Sequence, residues 1–200
     1  MSVLKKPNFY DNIYDSILSS GKKHFPGDPS RGKRGMKLIA SVDKNWGIGY
    51  KGKLLVSIPS DQRFFKNETV GKTVVLGRRT LDTFPGGRPL AERENIILTR
   101  DRSYTNRDAI VVNGTDELEK LLEGRDSDGV YIIGGQSVYE QFIDRCDIAY
   151  VTKIDYEFAA DSFLPNLDDD PEWECTEESE EKTYYDLCYR FCTYVRRKKD

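Results

Sequence analysis

From Met36 onward, short apolar runs alternate with stretches of helical periodicity, and few architectures accept that rhythm. Leu38–Val42, Thr73–Leu76, Ile96–Leu98, Ile110–Val112, Val130–Ile133 and Ile148–Val151 are rich in β-branched and aliphatic residues and too short for buried helices. Helical patterns fall between them, over 59–68, 78–83, 115–122 and 135–144. Pro59 suits the first position of its helix, and Thr115 is a candidate cap with Asp116 and Glu117 in the first turn behind it. Strands that read as continuous apolar runs belong in a sheet covered on both faces, so the expectation is an α/β fold with a central, mostly parallel sheet and helices on both sides. The style changes after the acidic stretch that begins at Asp161. Alternating segments near 172–180 and 184–196, the second with Leu187, Tyr189, Phe191 and Val195 on one face, predict an antiparallel C-terminal edge.

A chain of 200 residues supports one domain with an appendage. Residues 1–35 form the appendage. Tyr10, Ile13, Tyr14, Ile17 and Leu18 recur at helical spacing, Gly21 marks a stop, and 21–35 is a basic linker rich in turn-formers. This N-terminal extension carries seven Lys/Arg against three Asp, which leaves a net −7 for the domain at 36–200 within a total of −3. A domain of that sign is a poor nucleic-acid binder, although the arm suits an acidic partner. No apolar run reaches the roughly 18 residues of a membrane helix, no signal-peptide core is present, and a cytoplasmic, monomeric protein is expected. Cys146, Cys175, Cys188 and Cys192 include no C-x-x-C pair, and His24 is the only histidine, so no metal site and no disulfide are expected. Cys188 and Cys192 on one strand would stand about 13 Å apart. The ten Asp/Glu between 161 and 181 read as a solvated face.

Gly47, Gly49 and Gly52 match G-x-G-x-x-G after a strand, but no helix opens on them; the next helical start is Pro59. They read instead as a mobile loop whose Trp46, Ile48, Leu54 and Leu55 offer apolar surface to a ligand. Stronger anion signals sit where strands end. Thr73–Leu76 runs into Gly77, Arg78, Arg79 and Thr80, Ile96–Leu98 into Thr99 and Arg100, and Val130–Ile133 into Gly134, Gly135, Gln136 and Ser137. Free N–H groups, hydroxyls and guanidiniums at the carboxyl ends of parallel strands fit a nucleotide with several phosphates, and the arginines favour NADP over NAD. Asp61 and Phe65, four apart on the helix opened by Pro59, present a carboxylate and a ring on one face, which suits a flat, amidine-like heterocycle.

These residues resemble the dihydrofolate reductase family across 36–200: Ile39-Ala40-Ser41, Ile48-Gly49, Ile58-Pro59-Ser60-Asp61 with Phe65-Lys66, Gly77-Arg78-Arg79-Thr80, Arg93-x-Asn95-Ile96-Ile97-Leu98, Ile133-Gly134-Gly135 and Thr152-x-Ile154-Asp155. The resemblance implies a dihydrofolate reductase-like fold and NADPH-dependent reduction of dihydrofolate. Asp61 would be the catalytic carboxylate, with Thr152 as its hydroxyl partner. Phe65, Ala40 and Ile133 would line the substrate site, and Arg93 would clasp the substrate's glutamate carboxylate. Gly77, Arg78, Arg79, Thr80, Thr99 and Arg100 would bind the adenosine-side phosphates, Gly134, Gly135, Gln136 and Ser137 the pyrophosphate, with Ala40 and Ile48 near the nicotinamide. A riboflavin-pathway pyrimidine reductase of the same fold is the alternative; Asp61, Phe65 and Arg93 speak against it. The chain has Leu55-Val56 where the family usually has Pro-Trp before the substrate helix.

Overall fold

A computed structural model describes residues 35–197; the arm helix and the linker expected upstream of residue 35 lie outside the described residues. Among the described residues, twelve strands and four α-helices follow in chain order: β1 (Met36–Val42), β2 (Gly47–Tyr50), β3 (Lys53–Leu54), α1 (Pro59–Thr69), β4 (Thr73–Gly77), α2 (Arg78–Leu81), β5 (Glu94–Leu98), β6 (Ile110–Val112), α3 (Thr115–Leu121), β7 (Val130–Gly134), α4 (Gln136–Phe142), β8 (Cys146–Ile154), β9 (Ser162–Phe163), β10 (Trp173–Glu178), β11 (Lys182–Tyr184) and β12 (Leu187–Arg196). The main sheet runs β10-β12-β8-β1-β7-β4-β5-β6, with β11 paired to β12. From β8 to β6 every pairing is parallel, and β12, β10 and β11 add an antiparallel end.

The chain leaves β1 toward β4 and β5, then returns to fill the gap with β7 before crossing to β8 on the other side of β1. Right-handed crossovers in opposite directions put their helices on opposite faces. Accordingly Phe64 and Phe65 of α1 and Leu81 of α2 pack with Ile39, Val74, Leu76, Ile97, Tyr131 and Ile133. On the other face Leu118 of α3 and Val138, Tyr139 and Phe142 of α4 pack with Leu38, Val75, Ile96 and Ile132. Successive residues of each strand thus feed two different cores, which is why these strands read as unbroken apolar runs. Tyr131 Oη donates to Glu68 of α1 at 3.0 Å, and Tyr139 Oη of α4 to the Ile39 carbonyl at 2.8 Å.

Several expectations change in detail. The strand expected over Ile148–Val151 runs from Cys146 to Ile154, which takes Thr152 into the sheet. α3 is capped by the Gly114 backbone with no side-chain cap, and Thr115 is its first helical residue; Glu117 instead reaches back to accept from the Asn113 N–H at 2.6 Å. The segment 184–196 breaks at Tyr185, which has φ 51°, so β11 and β12 form a hairpin. β12 lies between β8 and β10, and each of its faces meets an apolar cluster: Tyr189 packs with Ile58 and Ile154, and Cys192 and Tyr194 with the opposite core. Trp46, expected on a mobile loop, is 5% exposed and stands edge-on to Tyr194 with centroids 6.0 Å apart. β2, β3 and β9 form a separate small sheet, anchored by Asp43, whose carboxylate accepts from the N–H groups of Asn45, Gly47 and Phe158 at 2.8–2.9 Å. No helix of the described residues is long and apolar enough to cross a membrane.

Candidate active site

Opposite crossovers leave a crevice at the carboxyl ends of β1, β4 and β7, where open α/β sheets bind ligands. The cleft there has a volume of about 1640 Å³, beyond the roughly 300–1,000 Å³ of a single drug-sized site, so it has room for two ligands end to end. Ala40 of β1, Asp61 and Phe65 of α1, Ile133 of β7 and Ile48 of β2 line one part of it. Gly77, Arg78, Arg79, Thr80, Thr99 and Arg100 line another, with Gly134, Gly135, Gln136 and Ser137 between. The expected set is therefore brought together except for two residues absent from the wall, Thr152 and Arg93.

Thr152 acts from behind. Asp61 is the third residue of α1, started by Pro59 at its first position. Thr152 Oγ1 on β8 donates to Asp61 Oδ1 at 2.6 Å, and Ser41 Oγ on β1 donates to Oδ2 at 2.7 Å. Loss of water around the carboxyl raises its proton affinity, and the hydroxyls of Thr152 and Ser41 oppose that rise. Ser41 was not among the expected site residues. Strand alternation carries the signal: Ile39 packs on the α1 face, and Ser41, two residues on, shares it.

Arg93 lies at the far end of α1. Its guanidinium donates to the Ala91 carbonyl at 2.6 Å, to Thr69 Oγ1 at 3.2 Å and, more weakly, to the Lys66 carbonyl at 3.4 Å. Those partners fix it one turn beyond Phe65 on the helix.

On the cationic side, Arg78 reaches Asp101 at 2.8 Å and lies over the Tyr104 ring at 4.6 Å. Asp101 also accepts from the Ser103 hydroxyl at 2.6 Å and its N–H at 3.0 Å, and these bonds, with Arg78, hold its carboxyl below the usual range. Arg79 and Arg100 are exposed. At the end of β7 the Gly134–Gly135 peptide is cis, and Gly134 has φ 112°. A Cβ on Gly134 would meet the Tyr139 ring at 3.1 Å, and one on Gly135 would meet Thr80 Oγ1 at 3.2 Å, so bare backbone faces the cleft here. Gln136 Oε1 accepts from the Phe163 N–H at 2.9 Å, joining this turn to β9. Leu55 and Val56 line the cleft beside β3, and Val56 also packs on the Ile58, Ile154 and Tyr189 cluster.

The dihydrofolate reductase family profile matches residues 35–196. The chain belongs to the dihydrofolate reductase family. It is 36% identical over 164 residues to the dihydrofolate reductase of Staphylococcus haemolyticus, covering 80% of this chain and 95% of that protein. To the dihydrofolate reductase of Staphylococcus aureus it is 31% identical over 130 residues, 65% of this chain and 77% of that one. Among solved structures it resembles the dihydrofolate reductase of Enterococcus faecalis complexed with NADP(H) and RAB-propyl, with a TM-score of 0.73 and 32% identity over 82% of this chain and 98% of that one. As a dihydrofolate reductase fold, residues 35–196 match the architecture expected from their strand rhythm.

Proposed function

We propose that this cleft catalyses NADPH-dependent reduction of dihydrofolate to tetrahydrofolate, with Asp61 as its central residue. One observation carries the reading: a carboxylate held by two hydroxyls stands in the same cleft as a glycine turn and a cluster of arginines. NADPH supplies the hydride, and the protein supplies orientation and electrostatics. Arg78, Thr80, Thr99 and Arg100 would take the adenosine-side phosphates, and the backbone at 134–137 the pyrophosphate. Asp61 would pair with the amidine-like edge of the pteridine while Phe65 packs on its rings. Its negative charge raises the proton affinity of the bound ring, and a water reaching N5 is the immediate donor, since Asp61 lies across the ring. Arg93, held past Phe65 by the Lys66 and Ala91 carbonyls, would take a substrate carboxylate extending out of the cleft. Free thiols at all four cysteines suit a reducing, cytoplasmic setting.

The test is loss of NADPH absorbance on adding dihydrofolate, with NADH in parallel. Asp61→Asn keeps NADPH binding and lowers turnover at neutral pH by about tenfold or more; unchanged turnover would overturn the assignment. Arg93→Ala raises KM for dihydrofolate and leaves NADPH binding alone, whereas weaker NADPH binding would move Arg93 out of the substrate site.

A further inference from the structure

Away from the cleft, three ligand-type side chains converge at the antiparallel end of the main sheet. Cys175 and Glu178 stand on β10 and Cys192 on β12, and their sulfur and carboxylate atoms lie within 4.8 Å of one another. The register explains the convergence. Cys175 pairs with Tyr194 and Glu178 with Cys192, with an extra β10 residue between Cys175 and Glu177. In a regular strand, positions three apart face opposite sides; the bulge turns 175 and 178 to the same side, that of Cys192. Cys192 is 3% exposed, whereas Cys175 and Glu178 are exposed, so the cluster is rooted in the core and open to solvent. A second cavity of about 270 Å³, bordered by Cys192, Glu178, Lys153 and Asp168, adjoins it.

We propose that Cys175, Cys192 and Glu178 bind a thiophilic divalent cation of the zinc class, with water from the adjoining cavity as fourth ligand. Zinc–sulfur bonds of about 2.3 Å in a tetrahedral site set the two sulfurs roughly 3.8 Å apart. Closing a spread of at most 4.8 Å to that value takes side-chain adjustments of about 1 Å on β10, which is paired on one side only; Cys175 Sγ gives up a long bond to the Glu177 carbonyl at 3.5 Å, and Glu178 holds Arg190 through one carboxylate oxygen at 3.3 Å, leaving the other for the ion. Asp168 is a poorer fourth ligand, since its carboxylate already takes the Tyr194 hydroxyl at 2.6 Å and Lys153 Nζ at 2.5 Å.

The experiment uses the full, reduced chain and Co²⁺ as a spectroscopic probe. The expected result is one Co²⁺ per chain, giving thiolate charge-transfer absorption and the intense visible bands of a tetrahedral site, bleached by Zn²⁺. Cys175→Ser and Cys192→Ala abolish the spectrum, Glu178→Gln weakens binding at least tenfold, and Cys188→Ser changes nothing. Retained NADPH oxidation in Cys175→Ser shows that the variant is folded. No thiolate bands in the reduced protein, bands that survive Cys175→Ser, or bands lost with Cys188→Ser would each overturn the site. A Cys175–Cys192 disulfide forming in air with no Co²⁺ bound on reduction would reassign the pair to redox chemistry and overturn it equally.

Discussion

The carboxyl of Asp61, proposed as the central residue of the cleft, is coupled to stability through its burial. The folded protein binds this proton more tightly than the unfolded chain does, because burial outweighs the Thr152 and Ser41 hydroxyls. Between the unfolded and folded pKa values the folded state therefore holds more protons, and stability falls as pH rises through that window. Asp61→Asn removes this cost, so the ligand-free variant melts higher than the parent at neutral pH, and the advantage disappears below about pH 4, where the unfolded carboxyl is itself protonated. Thermal melts at both pH values check it; a difference independent of pH would mean that burial of the charge is not its source. Ser41→Ala removes a bond that favours the ionised carboxylate. Its kcat/KM profile should show the acid limb displaced to higher pH, and an unmoved limb would separate Ser41 from Asp61 titration. The spacing of Asp61 and Phe65 is legible in the sequence because both lie on one helix. Ser41 and Thr152 are distant in sequence, and only the pairing of β1 with β8 sets them side by side, Ser41 opposite Thr152.

Elements were legible in kind and less so at their ends, as β12 illustrates. An alternating segment predicts one buried face, but β12 meets an apolar cluster on each face, and the pattern cannot say what packs above and below the strand. Arg196, the last residue of β12, shows the consequence. Its side chain is 2% exposed, donates to the Cys146 carbonyl at 3.0 Å and the Ile143 carbonyl at 2.6 Å, pairs with Glu172 and lies over the Trp173 ring at 4.5 Å. A terminal cluster of cations gives no hint that one of them ties the end of the sheet to the turn after α4. Arg196→Ala leaves those acceptors unpaired and should cost about 2–4 kcal/mol, a fall of roughly 5–15 °C in Tm, with KM for both ligands little changed. A melt unchanged to within a degree or so would show that water replaces the guanidinium.

At the scale of the whole molecule, the cleft is a property of topology: it opens where the crossovers from β1 and β7 diverge. If the domain is self-sufficient, a chain beginning at Met36 keeps turnover, NADPH preference and Tm, and side-by-side assays of the two lengths measure this. Lost activity on truncation would make the basic arm part of the enzyme. The sequence by itself determined the α/β class, the strands and helices of the parallel half, and the glycine- and arginine-bearing turns at the strand ends, because those depend on periodicity and on residues adjacent along the chain. Tertiary structure alone decided that Ser41 and Thr152 share Asp61, that Trp46 belongs to the core, and that Cys175 and Cys192, seventeen residues apart, stand within reach of one ion. Strand order, register and a single bulge fix those meetings, and they arise from burial summed over the whole sheet, which local pattern does not encode.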